Sequence, residues 1–135
     1  MYTGGQRIMD IYIKGRKEMG CVYFSSGCFD IKELKGYSDN QCDWLSLIDA
    51  LYWVSGNREG IDEFNIYTDN LRLFWQMPDK YGAIKNSTKA KSLKPIRIEK
   101  WLPVSNQLRD VNIKYLHISG YANPAREVLK NETHT

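Results

Sequence analysis

Alternating apolar and polar residues predict three β-strands in the first part of the chain. The alternation runs through residues 8–14, 19–26 and 30–37. Turn-forming residues separate these stretches, at positions 15–18 and again around Gly27. Strands joined by such short turns pair with their neighbours, so an antiparallel meander is predicted.

The apolar period then changes to that of a helix. Large apolar side chains recur with helical spacing at Trp44, Leu47, Ile48 and Leu51. Ser38 lies before this run, and Gln41 is three residues after Ser38, which is the pattern of a capping box. A helix over residues 41–54 is therefore predicted.

Residues 63–76 contain both periods in succession. Phe64 and Ile66 alternate with polar or amphipathic residues, as in a strand, whereas residues 71–75 place apolar side chains on one face of a helix. The change falls at residues 68–70, whose short polar side chains suit a strand end and a helix N-cap. Asp69 is therefore either a simple helix cap or a functional carboxylate, and the pattern leaves both interpretations open.

The remaining elements complete an α/β domain. Residues 96–108 predict a helix that is kinked or delayed by Pro103, residues 111–118 a strand, and residues 125–131 a final helical turn or two. A meander followed by helix-linked strands predicts a mixed five-stranded sheet with helices on its faces. We expect one domain over residues 8–131, a flexible lead-in over 1–7 and a disordered tail over 132–135.

Composition narrows the class of protein. The chain has 135 residues, enough for one core, and its 42% apolar and 26% charged content is typical of a soluble globular domain. Its sequence has no apolar run of membrane-spanning length and no Cys/His cluster with metal-ligand spacing. We expect a cytoplasmic protein that contacts no membrane and binds no small-molecule cofactor.

Positive charge is concentrated in residues 80–100, which we call the basic segment. Glu99 is its one acidic residue, against seven basic ones: Lys80, Lys85, Lys89, Lys91, Lys94, Arg97 and Lys100. Several such side chains neutralise the phosphates of a nucleic-acid backbone and give salt-sensitive, sequence-tolerant binding. The alternative interpretation is a solvated loop that keeps the protein soluble.

Four stretches in this order resemble motifs of the ribonuclease H family. Residues 10–15 (DIYIKG) resemble its first strand, and residues 40–51 resemble its first helix, where an Asn-x-x-Glu-Leu pattern precedes an Ala-Leu pair. Residues 65–70 (NIYTDN) are similar to its fourth strand, and residues 115–124 (YLHISGYANP) to its last strand and the following loop. The resemblance covers roughly residues 8–130 and implies the mixed five-stranded sheet of that family.

The resemblance also implies a lost catalytic centre. The family hydrolyses the RNA strand of an RNA–DNA hybrid with two metal ions held by four carboxylates. Among the matching positions this chain keeps acids only at Asp43 and Asp69, while Lys14, Tyr121 and Arg126 stand where the family has other functional residues. The expected degenerate site is therefore Lys14, Asp43, Asp69, Tyr121 and Arg126, with no catalytic residue and no bound metal. We expect Lys14, together with Arg126, to form an internal ion-pair cluster with the two aspartates.

Each of these residues has a simpler interpretation. Lys14 can point to solvent at a strand end, and Asp43 can be an acid of the first helical turn, where the helix dipole favours it. Tyr121 is expected to pack its ring in the loop.

Three functions follow from the sequence. The first is a non-catalytic module that binds nucleic acid, duplex or RNA–DNA hybrid, through the basic segment. The second is a protein-interaction module of phage or mobile-element origin that acts on a host, replication or transcription protein. The third is a divergent Mg²⁺-dependent nuclease that uses Asp43 and Asp69 with Asp10 and Glu127. Asp10 precedes Lys14 by four residues, about 13 Å along a strand, which weighs against the third.

Overall fold

Five strands form one sheet in the computed structural model of this protein, which describes residues 7–75 and 95–132. The strands are β1 (Ile8–Arg16), β2 (Met19–Phe24), β3 (Phe29–Glu33), β4 (Glu63–Thr68) and β5 (Ile113–His117). The α-helices are α1 (Asp39–Gly56), α2 (Leu71–Trp75), α3 (Leu102–Gln107) and α4 (Pro124–Glu132). A π-helix (Ile96–Trp101) runs directly into α3, and a 3-10 turn (Gly120–Ala122) precedes α4.

The sheet is mixed, with the strand order β3-β2-β1-β4-β5. The pairs β1–β2 and β2–β3 are antiparallel, whereas β4 is parallel to both β1 and β5. The meander, the helix-linked strands and the helices on the sheet faces confirm the predicted fold class. In the central parallel pair, Ile11 lies opposite Ile66 and Tyr12 opposite Tyr67.

The main core lies between one sheet face and α1. Ile11, Ile13, Phe64 and Ile66 are fully buried on that face, as the alternation predicts. The capping box predicted for α1 is present, because the Ser38 hydroxyl accepts from the Gln41 N–H and the Gln41 side chain accepts from the Ser38 N–H. The π-helix and α3 also pack against α1 and join the same core.

Helix α4 covers part of the opposite sheet face. Its buried residues Ala125 and Leu129 pack with Cys21 of β2, and the half-buried rings of Tyr12 and Tyr23 lie beside them. No helix among the described residues is long and apolar enough to cross a membrane.

The predicted turn at residues 15–18 is wrong in a way that matters for the site. Strand β1 continues through Gly15 and Arg16, and the turn consists of Lys17 and Glu18, whose φ angles are 50° and 60°. Distant partners hold this left-handed backbone: the Lys17 N–H donates to Asp39 at 2.8 Å. Arg16 is therefore a strand residue.

Other predicted boundaries also shift. The third strand ends at Glu33, because the chain turns through Gly36 with a φ of +88°. Helix α1 begins at residue 39, two positions before the predicted start. Helix α4 extends through Glu132, which lies in the predicted disordered tail. Residues 1–6 and 133–135 of the predicted flexible ends lie outside the described residues.

Candidate functional site

The candidate site lies at the sheet edge where the parallel strands β1 and β4 end. Tyr12 and Tyr67 are register partners, and Lys14 and Asp69 each follow two residues later in the chain. Residues two apart point to the same face of a sheet, and parallel strands end at the same edge. This register brings Lys14 and Asp69 together although 55 residues separate them in the chain.

Asp69 is a buried carboxylate with two partners. The Lys14 ammonium lies 2.7 Å from its Oδ1 atom, and the side chains are 17% and 4% exposed, respectively. The Asn123 amide donates to Asp69 Oδ2 at 3.1 Å and to the Ile13 carbonyl at 3.0 Å. The Lys14 side chain therefore turns inward, and the solvent-facing interpretation of this residue is wrong.

Asp43 is the second buried carboxylate of the site. Since α1 begins at residue 39, Asp43 lies in the second helical turn and faces the sheet rather than the helix end. Its Oδ1 atom accepts from the Gly15 N–H at 2.7 Å, and its Oδ2 atom accepts from the Asn70 amide at 2.9 Å. Asp43 thus ties α1 to β1 and to the start of α2.

Burial raises the pKa of Asp43 to about 6, from an ordinary value of 3.8. The Lys14 ammonium, the Gly15 N–H and the Asn70 amide oppose this rise, because each favours the ionised carboxylate. The Asp69 carboxylate adds to it by like-charge repulsion. The loss of hydration on burial therefore outweighs the three favourable contacts, and the Asp43 carboxyl group holds its proton to a higher pH.

Two asparagines complete the site, and the sequence did not single them out for this role. The Leu73 N–H donates to Asn70 Oδ1, and the Ala125 N–H donates to Asn123 Oδ1, as in helix N-caps. Each cap fixes the amide orientation, so that the NH₂ group of each asparagine faces a carboxylate. The Asn-Pro pair at residues 123–124 could have indicated that Asn123 caps a helix, since proline favours the first position of a helix.

The carboxylates of Asp43 and Asp69 are engaged by hydrogen-bond donors rather than arranged as an open metal site. All four oxygens of Asp43 and Asp69 accept hydrogen bonds from the ammonium, a backbone N–H or an asparagine amide. A divalent ion would have to share these oxygens with the ammonium and the N–H donors that already bind them. Across residues 7–75 and 95–132, no group of three or more His, Cys, Asp or Glu side chains is arranged to hold a metal ion.

The other candidate residues lie apart from the carboxylates or at their margin. Tyr121 is fully exposed, so the expectation that its ring packs in the loop is wrong. Arg126 is exposed and lines a cleft beside Lys14 and Asp69. Asp10 accepts from Asn65 and Tyr67, towards the other end of β1, and Glu127 is exposed on α4.

Most of the basic segment falls outside the described residues. Lys80, Lys85, Lys89, Lys91 and Lys94 lie in residues 76–94, and the Arg97 side chain is also outside the described part. Lys100 is exposed near the end of the π-helix. The role predicted for these seven residues therefore remains a prediction from sequence.

A polar cleft of about 300 Å³ opens at the same sheet edge. Its lining residues come from β1, from the start of α1, from the end of β4 and from the region around α4: Lys14, Arg16, Asp39, Asp69, Gly120 and Arg126. The sequence pattern did not identify Arg16 as a site residue, because it assigned residues 15–18 to a turn. The cleft shares the Lys14–Asp69 pair with the site described above.

The raised pKa of Asp43 predicts a distinctive dependence of stability on pH. The unfolded chain releases this proton near pH 3.8 and the folded protein near pH 6. Stability from this group is therefore fully present below pH 3.8 and is lost as pH rises to 6, by about 3 kcal/mol. Urea unfolding from pH 4 to pH 7 should show a larger decline in the wild type than in Asp43→Asn, which keeps only the smaller contribution of groups such as Asp49, whose pKa burial also raises.

Asp110→Asn is the control, because the Asp110 side chain is 67% exposed. This variant should keep the wild-type dependence on pH. Parallel curves for the wild type and Asp43→Asn would contradict the assignment of the decline to Asp43.

The fold is shared with solved ribonuclease H structures. The chain aligns with RNase H1 from the halophilic archaeon Halobacterium salinarum at 15% identity and a TM-score of 0.68, covering 94% of this chain and 97% of the other. It aligns with LC11-RNase H1, solved with an RNA/DNA hybrid, at 19% identity and a TM-score of 0.68, with coverages of 92% and 94%. The N-terminal RNase H domain of a Mycobacterium tuberculosis protein aligns at 14% identity, 93% and 99% coverage and a TM-score of 0.58.

The TM-scores and the shared mixed sheet show a ribonuclease H-like fold, whereas identities this low show nothing beyond the fold. Neither a protein-family model nor a curated protein matches the sequence.

Proposed function

We propose that this protein is a non-catalytic ribonuclease H-like module that binds nucleic acid, as a duplex or an RNA–DNA hybrid, through its basic segment. The absence of catalysis in this proposal is supported by the ion pair between Lys14 and Asp69. Its two atoms lie 2.7 Å apart, and the Asp69 side chain is only 4% exposed. By resemblance, Lys14 stands where the family places a metal-binding carboxylate. The ammonium supplies the positive charge that a metal ion would otherwise bring to Asp69.

The charge of Lys14 also opposes a metal ion directly. Two cations about 4 Å apart repel by about 4 kcal/mol per unit charge product at an effective dielectric constant of 20. A divalent ion would face about twice that penalty beside Lys14 and would also compete for oxygens that already accept hydrogen bonds. These terms favour a site in which ion pairing has replaced metal binding.

The nucleic-acid part of the proposal rests on charge and on fold. The basic segment carries seven cationic side chains against Glu99. A protein of the same fold, LC11-RNase H1, was solved in complex with an RNA/DNA hybrid. Phosphate neutralisation by several lysines would give this chain binding that tolerates sequence and weakens with salt.

Fluorescence anisotropy with single-stranded RNA, duplex DNA, duplex RNA and hybrid tests the binding. We expect affinity to fall linearly with salt on a logarithmic plot. Reversal of Lys89, Lys91 and Lys94 to glutamate should reduce the slope by about three, because each lysine neutralises about one phosphate. Reversal of the exposed Lys35 and Arg109, which lie outside the segment, should leave the slope unchanged.

Incubation of the same substrates with Mg²⁺ or Mn²⁺ tests the absence of catalysis. We expect no cleavage and no metal-dependent rise in melting temperature. Cleavage that Asp69→Asn abolishes would instead support the divergent two-metal nuclease, and so would a clear rise in melting temperature with Mg²⁺.

Exposed aromatic side chains favour a protein-interaction module as the second candidate. Tyr121 is fully exposed, Trp75 is 69% exposed and Tyr52 is 56% exposed. Aromatic residues often anchor protein interfaces. A specific host, replication or transcription protein in pull-down experiments, together with no binding to any nucleic acid, would favour this candidate.

A further inference from the structure

The cleft beside the Lys14–Asp69 pair has a net positive charge. Its lining contains three cations, Lys14, Arg16 and Arg126, and two carboxylates, Asp39 and Asp69. Three positive and two negative groups leave a formal charge of +1. The cleft is therefore suited to an anion with a single charge.

Two of the cations are available to such an anion. The Lys14 ammonium is engaged by Asp69 at 2.7 Å. Within the described residues, neither Arg16 nor Arg126 forms an ion pair with a carboxylate. Guanidinium groups present several N–H donors in a plane and match the oxygens of a phosphate.

Gly120 allows the Arg126 side chain to lie over the 3-10 turn. A Cβ atom at position 120 would overlap the Arg126 guanidinium, and no other neighbour lies within the same short range. Any larger residue at position 120 would displace the guanidinium from this place. The glycine thus positions one wall of the cleft without taking part in binding.

We propose that this cleft binds one phosphodiester of a nucleic-acid backbone between Arg16 and Arg126. The inference rests on the proposed function and assigns it a second contact, apart from the basic segment. A phosphodiester carries a single negative charge, whereas inorganic phosphate and terminal phosphomonoesters approach two at neutral pH. Asp39, whose carboxylate already accepts from the Lys17 N–H, disfavours the more highly charged forms.

Hybrid binding by the full chain tests the two arginines. We expect Arg16→Gln and Arg126→Gln each to weaken binding of a short fluorescein-labelled RNA–DNA hybrid about three- to tenfold and to lower the salt slope by about one. Gly120→Ala should weaken binding as Arg126→Gln does, because the guanidinium is displaced while the charge remains. Arg109→Gln, on an exposed residue away from the cleft, should change the affinity by less than about twofold.

A second measurement separates failure of the inference from failure of the proposed function. The side-chain Nε–H signals of Arg16 and Arg126 are followed by NMR during titration with dimethyl phosphate and, separately, with inorganic phosphate. Saturable shifts of both signals with dimethyl phosphate are expected even if no hybrid binds, and Arg126→Gln should weaken the response of the remaining Arg16 signal. Circular dichroism of each variant verifies that it is folded.

The remaining outcomes overturn the inference. Hybrid binding with unchanged affinity and salt slope in both arginine variants would leave the proposed function intact and remove the cleft from it. An absence of shifts with either ligand would also reject the cleft as a phosphate site. Shifts with inorganic phosphate alone would reject the phosphodiester as its ligand.

Discussion

Replacement of Lys14 by methionine is expected to lower the free energy of unfolding by about 3–5 kcal/mol. The variant leaves the Asp69 carboxylate, which is 4% exposed, without its cation. The Asn123 amide remains as a donor to Asp69 but carries no net charge. The pKa of Asp43 should rise above 6 in this variant, because the Lys14 ammonium lowers it in the wild type. Chemical denaturation and NMR titration of the carboxyl carbons measure the two effects.

The Arg58–Asp110 pair provides a matched control for Lys14→Met. Its side chains are 40% and 67% exposed, so solvent screens the charges and either one can remain hydrated alone. Arg58→Met should cost at most about 1 kcal/mol. An equal loss of stability in the two variants would show that Lys14–Asp69 behaves as a surface pair.

Gly15→Ala is expected to be as damaging, at about 3 kcal/mol or more, or to prevent folding. Strand β1 and helix α1 approach so closely here that an added Cβ would overlap the backbone of Cys42 and Asp43. Backbone atoms cannot move aside as a flexible side chain can, so the strand and helix must separate. The separation would also break the 2.7 Å hydrogen bond from the Gly15 N–H to Asp43. Thermal and urea unfolding measure the loss.

Gly56→Ala is the control for Gly15→Ala. It changes the backbone entropy of the unfolded chain in the same way but introduces no steric clash. Gly56 is the last residue of α1, and an added Cβ there would meet no atom within 4 Å. Alanine should therefore be neutral or stabilise the protein by up to about 1 kcal/mol. A loss of stability below about 1 kcal/mol in Gly15→Ala would contradict this expectation, because it would mean that α1 can move away from β1 at little cost.

The strands of the sheet were accessible from sequence because they depend on periodicity, whereas the Lys14–Asp69 pair was accessible only through the resemblance. Alternation assigns Ile11 and Ile13 to one face of β1 and places Lys14 on the other. The same argument gives the buried face of β4. The resemblance then ordered the strands and brought Lys14 and Asp69 into one hypothesis.

The cleft was not accessible because its residues depend on contacts across the chain. Lys17 and Glu18 adopt positive φ angles that local composition does not favour, and partners at Asp39 and Gly36 hold them. Gly15 and Arg16 therefore looked like turn residues. The position of Arg126 depends on the small size of Gly120, and spacing alone does not reveal such packing.

The hydrogen bonds of Asn123 have a consequence for how the protein opens. Its one side chain joins the Ile13 carbonyl of β1, Asp69 after β4 and the Ala125 N–H at the start of α4. Fraying of the first turn of α4 therefore cannot occur without loosening the contacts of both central strands. In hydrogen-exchange terms, the start of α4 should belong to the same slowly exchanging cooperative unit as β1 and β4.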